Sequence, residues 1–392
     1  VKKIRGFLLA LSCAMLGAAT SIASAQSMVG GGALPPKGWF DEVGATLPSP
    51  WSYTFVGSAA GKRAFIENEA SIHGLVDEND TYRNPWPVTQ TVHFAGTQIP
   101  LTQPELALYA PNEIQWGPLI QVPVALVPIF LPYNRPGVGD VQLSISQVCG
   151  IFSYQQGHRT WGEVLGTFDS TPISIVYRQE LAETTRLLTE YLAEQCEDYF
   201  PAGYAFTKSP HFEEAVQSAL PPDVEGMPAP WVSALGVGAL LDELAGGSNR
   251  LAYVRADEWP DVQNDFHEFA WVGGYVPSPV NVMGAQPAPP GLQPELSDPT
   301  SWAPVHDLSI PGYQLYGRAY LLVNQCYLAS GVLPEVKAFL QKLINPVGPL
   351  PDNLVPLPPV WRAAITNTFL SSASGHGLDI GNPDVCIAGG RP

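Results

Sequence analysis

Apolar residues recur along this chain in two different periods. Short β-branched and aromatic runs at 52–56, 92–95, 173–177 and 251–255 predict strands. The run at 121–131 is longer and continuously apolar, and Pro132-Tyr133-Asn134-Arg135-Pro136-Gly137 closes it with turn residues. Helical spacing is clearest at 184–195, where Leu187, Leu188, Tyr191 and Leu192 share one face. Further helical stretches are 143–151, 161–165, 230–244 and 361–370, with 334–343 opening on a proline at the tolerated first position. Residues 316–327 read as a strand running into a helix. The glycine-rich stretch 26–37 predicts an extended arm, with ordered structure from Trp39 onward. Residues 277–304 and 346–359 are rich in proline and lack periodicity, which predicts surface loops or linkers. Strands alternating with helices, without an internal repeat, give an α/β fold.

The first residues change the picture from fold to compartment. Lys2, Lys3 and Arg5 precede an apolar run from Phe7 to Leu16, and Ala23-Ser24-Ala25 follows just before Gln26. Charge, short apolar core and small-residue site are the layout of a signal peptide, here residues 1–25. The run is too short to cross ~30 Å of hydrocarbon, which needs about 20 such residues. Cys13 raises a lipoprotein alternative, but Ala10-Leu11-Ser12 before it is a poor attachment context. The expectation is a mature chain, periplasmic or secreted, with no membrane span.

Losing Lys2, Lys3 and Arg5 takes the formal net charge from −17 to −20. Such a surface repels nucleic acid and anionic lipid, so any anion site has to be built locally. The remaining length exceeds one comfortable core and predicts two lobes. Four cysteines remain, Cys149, Cys196, Cys326 and Cys386; in an oxidising compartment they read as two disulfides. Three pairings are open, and the grouping of two mid-chain and two near the end favours Cys149–Cys196 and Cys326–Cys386. Without C-x-x-C, HExxH or a tight Cys/His cluster, no metal or cofactor is expected.

Several segments, taken in order, carry a family resemblance. Gly44-Ala45-Thr46-Leu47-Pro48, Val56-Gly57-Ser58 with Lys62-Arg63-Ala64-Phe65, and Gln121-Val122-Pro123 through Gly137 resemble phosphate-binding proteins of ABC transporters. So do Cys149-Gly150-Ile151-Phe152-Ser153 with Trp161, and Ile175-Val176-Tyr177-Arg178. The four cysteines, Val355-Pro356-Leu357-Pro358 before Trp361, Ile380-Gly381-Asn382 before Val385-Cys386, and Gly390-Arg391-Pro392 resemble the DING branch in particular. The resemblance is weakest between 209 and 309, and the Asp-Ile-Asn-Gly start that names the branch is absent. It implies a two-lobed type II periplasmic binding fold with crossing strands. Residues 38–130 plus 305–392 would form lobe 1 and 131–304 lobe 2. It also implies the same disulfide pairing, a monomer, phosphate or a related small anion as ligand, and an ABC permease as partner.

Carried over residue by residue, the resemblance puts the anion against Thr46, the backbone N–H of Leu47, Ser58, Arg178 and Thr184. Arg178 would be the charged donor, its planar fork suited to a tetrahedral oxyanion; a surface or inter-lobe salt bridge is the alternative, and the residue's place at a strand end before a helix N-terminus favours the site. Where the family has Ser-Gly-Thr, this chain has Ala182-Glu183-Thr184. A hydroxyl is lost, and a carboxylate replaces the residue that lets backbone approach an anion. Glu183 would repel the ligand, turn inward to cap its own helix and occupy the anion position, or point to solvent. Gln98 stands where the family has an aspartate, and it can donate as well as accept. Phosphate binding is therefore expected to be weakened, redirected or lost.

Two other classes compete. DING-like proteins have been described as alkaline phosphatases, and Ser374-Gly375-His376 with Asp379, Glu258-Trp259-Pro260-Asp261, and His267-Glu268 contain suitable residue types. Each is more plausibly structural or solvated, because no nucleophile–base–stabiliser set is gathered. A secreted interaction protein on the same fold would have its cleft filled by its own side chains, with residues 277–304 as a contact surface.

Overall fold

The computed structural model describes residues 27–392 apart from 34–35, 75–90, 201–202, 260–267 and 329–331. The expected signal peptide lies outside the described residues, as do Pro260, Asp261 and His267.

The glycine-rich start is not an arm. Met28–Gly32 is a fully buried strand inside the larger sheet, paired in parallel with Trp51–Phe55 on one side and Phe94–Thr97 on the other. Its glycines are what make that place possible. A Cβ on Gly30 would lie 2.3 Å from the Phe94 ring, and one on Gly61 would lie 2.4 Å from the Gly32 Cα. The strand thus carries no side-chain pattern because sheet and helix close directly onto its backbone.

The larger sheet is built around two long antiparallel strands, Leu119–Phe130 and Tyr316–Asn324, buried along their whole length. Phe94–Thr97 adds antiparallel to the second of these, and Val254–Arg255 and Val355–Pro356 pair with the first. Over this sheet pack Trp39, Phe40, Trp51, Tyr53 and Phe339, several of them edge-on or stacked at 4.8–5.4 Å.

A second sheet of four strands runs Tyr133–Asn134, Arg250–Ala252, Ser174–Arg178, Val232–Ala234. Its first pairing is antiparallel and the two that follow are parallel, as expected where helices connect the strands. The two sheets are joined by strands that continue from one into the other. Leu119–Phe130 leads into Tyr133–Asn134, and Arg250–Ala252 returns through Tyr253 to Val254–Arg255. This is the α/β type II periplasmic binding fold, with crossing strands, that the sequence predicts.

Most helices fall where periodicity puts them: Ile145–Phe152, Trp161–Leu165, Glu183–Gln195 and Leu333–Ile344. The first two open on capping boxes, Ser144 with Gln147 and Thr160 with Glu163. Four expectations are corrected. Residues 230–244 split into strand Val232–Ala234 and helix Gly236–Gly246, the turn between them needing the positive φ of Gly236. The strand beginning at Tyr316 stops at Asn324, and the next helix among the described residues is Leu333–Ile344. The helix near 361–370 is Pro359–Ile365 followed by a wider turn, Thr366–Leu370. Residues 277–304 are no plain linker: they hold helix Pro279–Gly284 and bury Leu296 and Trp302, the latter against Trp361 and Phe369.

Both favoured disulfides are formed, Cys149–Cys196 and Cys326–Cys386. No described helix is long and apolar enough to cross a membrane.

Candidate functional site

Two helix N-termini and one strand end meet where the crossing strands pass between the sheets. The first helix, Ser58–Glu67, is entered through Gly57 at φ 80°, a left-handed conformation that favours glycine, and no side chain of its own segment caps it. Its first N–H, that of Ser58, donates instead to Glu183 Oε1 at 2.7 Å. Glu183 is the first residue of the second helix, Glu183–Gln195. A carboxylate therefore sits at the positive end of the opposite helix, in the position where helix geometry favours an anion. Ser58 is itself buried, and its Oγ accepts the backbone N–H of Gln98 at 3.0 Å.

The cations nearby are also occupied. Arg178, at the end of strand Ser174–Arg178, donates from Nη1 to Glu258 at 3.0 Å and from Nε to Glu180. Thr184 Oγ1 donates to the other oxygen of Glu258 at 2.8 Å. A second, fully enclosed guanidinium, Arg255, forks onto Asp257 at 2.8 and 3.0 Å and lies 3.5 Å from Glu258. Burial alone would depress the Arg255 pKa, but Glu258 and Asp257 outweigh it and raise it. Burial would likewise raise Glu258; Arg255, the Arg255 N–H, Arg178 and Thr184 together hold it below its ordinary value. Tyr53, buried near Glu183 and Asp41, has its phenol raised by burial first and those charges second. Two guanidinium groups thus face four carboxylates, those of Glu180, Glu183, Asp257 and Glu258. The positive charge an oxyanion would need is already neutralised from within.

The residues expected from the sequence divide accordingly. Ser58, Gln98, Arg178, Glu183 and Thr184 are gathered at this junction. Ala182 is the buried residue preceding the second helix, and its N–H is used on the Pro210 carbonyl at 3.0 Å. Thr46 and Leu47 are not gathered here. They follow helix Lys37–Gly44 and finish its last turn: the Thr46 hydroxyl and N–H both donate to Val43 O, and the Leu47 N–H to Gly44 O. Thr46 is exposed beside Trp39, Lys342 and Asn345. A shorter copy of the same letters, Gly32-Ala33-Leu34-Pro35, directly follows the first strand, with Leu34 and Pro35 outside the described residues. Arg255, Asp257 and Glu180 were not singled out from the sequence. The available signal was an arginine at a strand end followed two and three residues later by carboxylates.

Among the described residues the phosphatase-like segments do not assemble. Ser374 Oγ accepts only the N–H of the exposed His376, at 3.4 Å, and Asp379 is bonded to Asn382. Glu258 belongs to the ion-pair cluster above. Among the described residues no group of three or more His, Cys, Asp or Glu could hold a metal ion.

With this geometry in view, comparison with known proteins settles the class. The family model for the PBP superfamily domain matches residues 39–341. The chain is 33% identical over 383 residues to alkaline phosphatase L of Pseudomonas aeruginosa, covering 96% of each. It is 31% identical to a phosphate-binding protein of an unknown prokaryotic organism, covering 93% of this chain and 99% of that one. PfluDING, a high affinity periplasmic phosphate-binding protein solved with phosphate bound, superimposes with a TM-score of 0.70 at 29% identity, covering 94% of this chain and all of that one. The protein belongs to the PBP superfamily. Within it, the likeness is to DING-type phosphate-binding proteins, as the sequence motifs implied.

Proposed function

We propose that this is an exported solute-binding protein that takes phosphate or a related oxyanion at the junction of Ser58, Gln98, Arg178 and Thr184. The incoming anion has to displace the Glu183 carboxylate. The lobes would be 38–130 with 305–392, joined by the strand Met28–Gly32, and 131–304, with the ligand enclosed between them. The observation that carries the reading is the 2.7 Å bond from the Ser58 N–H to Glu183: the seat is built for an anion and already holds one. Support comes also from relatives that bear the name phosphate-binding protein. A permease would be the natural recipient of the bound solute, and the two disulfides suit a periplasmic or extracellular setting.

Glu183 and its neighbours make the binding weak and little selective. Gln98 in place of an acidic acceptor removes the group that would reject a fully ionised anion such as sulfate. Calorimetric titration of the mature protein with phosphate and with sulfate tests this. The expected result is weak binding of both, with similar affinity; micromolar binding of phosphate that sulfate does not disturb would overturn it. Some relatives are called alkaline phosphatase L. Among the described residues no set of reacting groups surrounds the seat, so turnover of a chromogenic phosphate ester is expected to stay at background. Turnover abolished by Arg178→Ala would assign the enzyme reading instead.

A further inference from the structure

A small cavity of about 50 Å³ adjoins the seat, between the helix bearing Glu183 and the strand Tyr316–Asn324. That is room for a few water-sized groups. Gln98, Leu187, Glu190, His306, Arg318 and Tyr320 are among its walls. It shares Gln98 with the seat: the residue lines the cavity, and its backbone N–H is bonded to Ser58 Oγ. Glu183, Leu187 and Glu190 follow at helical spacing along one face of the same helix.

The charged walls of this cavity are already paired. Glu190 accepts from Arg186 at 2.8 Å, and Glu194 beside it is bonded to Lys208 and His306. The Arg318 guanidinium donates to Gln286, to the Pro304 carbonyl and to the Tyr316 hydroxyl. Gln98 is the exception. It is 1% exposed, and neither its side-chain oxygen nor its nitrogen has a partner among the described residues. Leaving both ends of a buried carboxamide unpaired is costly, and native structures rarely do so.

A carboxamide offers one function of each kind. An ammonium can only donate and a carboxylate can only accept, so either would leave half of Gln98 unsatisfied. A hydroxyl both donates and accepts. We infer that the cavity is a subsite for a short hydroxylated arm attached to the anion, so that the preferred ligand is a phosphate monoester of a small polyol rather than inorganic phosphate. The inference rests on the seat at Ser58 being the anion site.

The test is calorimetric titration of the wild-type protein and of Glu183→Gly with inorganic phosphate, glycerol 3-phosphate and propyl phosphate. Propyl phosphate keeps the arm's length and lacks its hydroxyls. Glycerol 3-phosphate is expected to bind at least tenfold more tightly than propyl phosphate, since a site built to bond a hydroxyl rejects the analogue lacking it. In Gln98→Leu that preference is expected to vanish. The comparison within the wild type decides the matter even if that variant does not fold. Equal affinity for the two esters, or a preference that survives in folded Gln98→Leu, would overturn the subsite. Binding of phosphate with exclusion of both esters would overturn the subsite and leave the anion seat standing. Failure of all three ligands in both proteins would overturn the seat and the subsite together.

Discussion

Replacing Glu183 by glycine restores the backbone approach that the carboxylate blocks, and its effect can be worked from the contact it removes. The Ser58 N–H to Glu183 bond is 2.7 Å long and has an ionised acceptor. A charged hydrogen bond of this kind contributes about 1.5–3 kcal/mol net. An anion entering the seat must break it before making its own bond to the same N–H. Any part of the carboxylate that stays within ~4 Å then repels the ligand by about 4 kcal/mol per unit-charge pair at an effective dielectric of 20. Taking only the displacement, and 1.4 kcal/mol per decade, Glu183→Gly is expected to tighten phosphate binding by about 10- to 100-fold. Glu183→Gln keeps an acceptor for Ser58 and loses the charge, so its gain is expected to be smaller. Glycine at the first helical position costs under about 1 kcal/mol of stability, which does not enter the affinity. Calorimetry at low salt and at about 0.5 M salt is the assay; the advantage of the variant should shrink as screening grows. A folded Glu183→Gly protein that binds phosphate no more tightly than the wild type would refute the reasoning.

Two predictions concern the frame around the site. His73 and His93 are buried and held neutral, with burial the first cause of depressing them from 6.5 to about 4 and about 3. The unfolded chain therefore takes up their protons first as pH falls. The stability they permit is complete well above 6.5 and is lost between 6.5 and 3–4, by about 4 kcal/mol for the pair from pH 7 to pH 5; urea midpoints at the two pH values check this. Arg391 is buried between the rings of Phe65 and Trp116, at 4.3 and 4.6 Å, and donates to Asn324, Asn68 and the Phe65 carbonyl. Arg391→Ala removes the cation–ring contacts and leaves buried acceptors unpaired, so a loss of about 3–5 kcal/mol in urea unfolding is expected.

The elements with a side-chain pattern were legible in the sequence. The helix bearing Glu183 announced itself through Leu187, Leu188, Tyr191 and Leu192, and the central strand through its unbroken apolar run. Met28–Gly32 was not legible, because its role depends on having almost no side chains for Phe94 and the neighbouring helix to meet. Of the residues the motifs proposed for binding, Ser58, Gln98, Arg178 and Thr184 lie at one junction. Thr46 and Leu47 lie apart from it, and their N–H groups are used in closing a helix. Arg255 is out of sight for another reason. Its carboxylate partners Asp257 and Glu258 are local, but the link through Glu258 to Arg178 comes from the chain crossing between sheets, a relation that local spacing does not encode. Of the three alternatives open for Glu183 in the sequence, none has it capping the opposite helix, which is where its carboxylate sits.

Each of the two disulfides closes a loop on one side of the junction. Cys149–Cys196 ties helix Ile145–Phe152 to the far end of the helix that begins at Glu183, while Cys326–Cys386 fastens the chain after the long strand Tyr316–Asn324. Neither spans the contact between Ser58 and Glu183. The covalent staples are permanent and local, and the latch across the junction is a single exchangeable carboxylate. The disulfides thus bear on how hard each part is to unfold, whereas on the proposed function anion concentration would decide whether the latch is engaged.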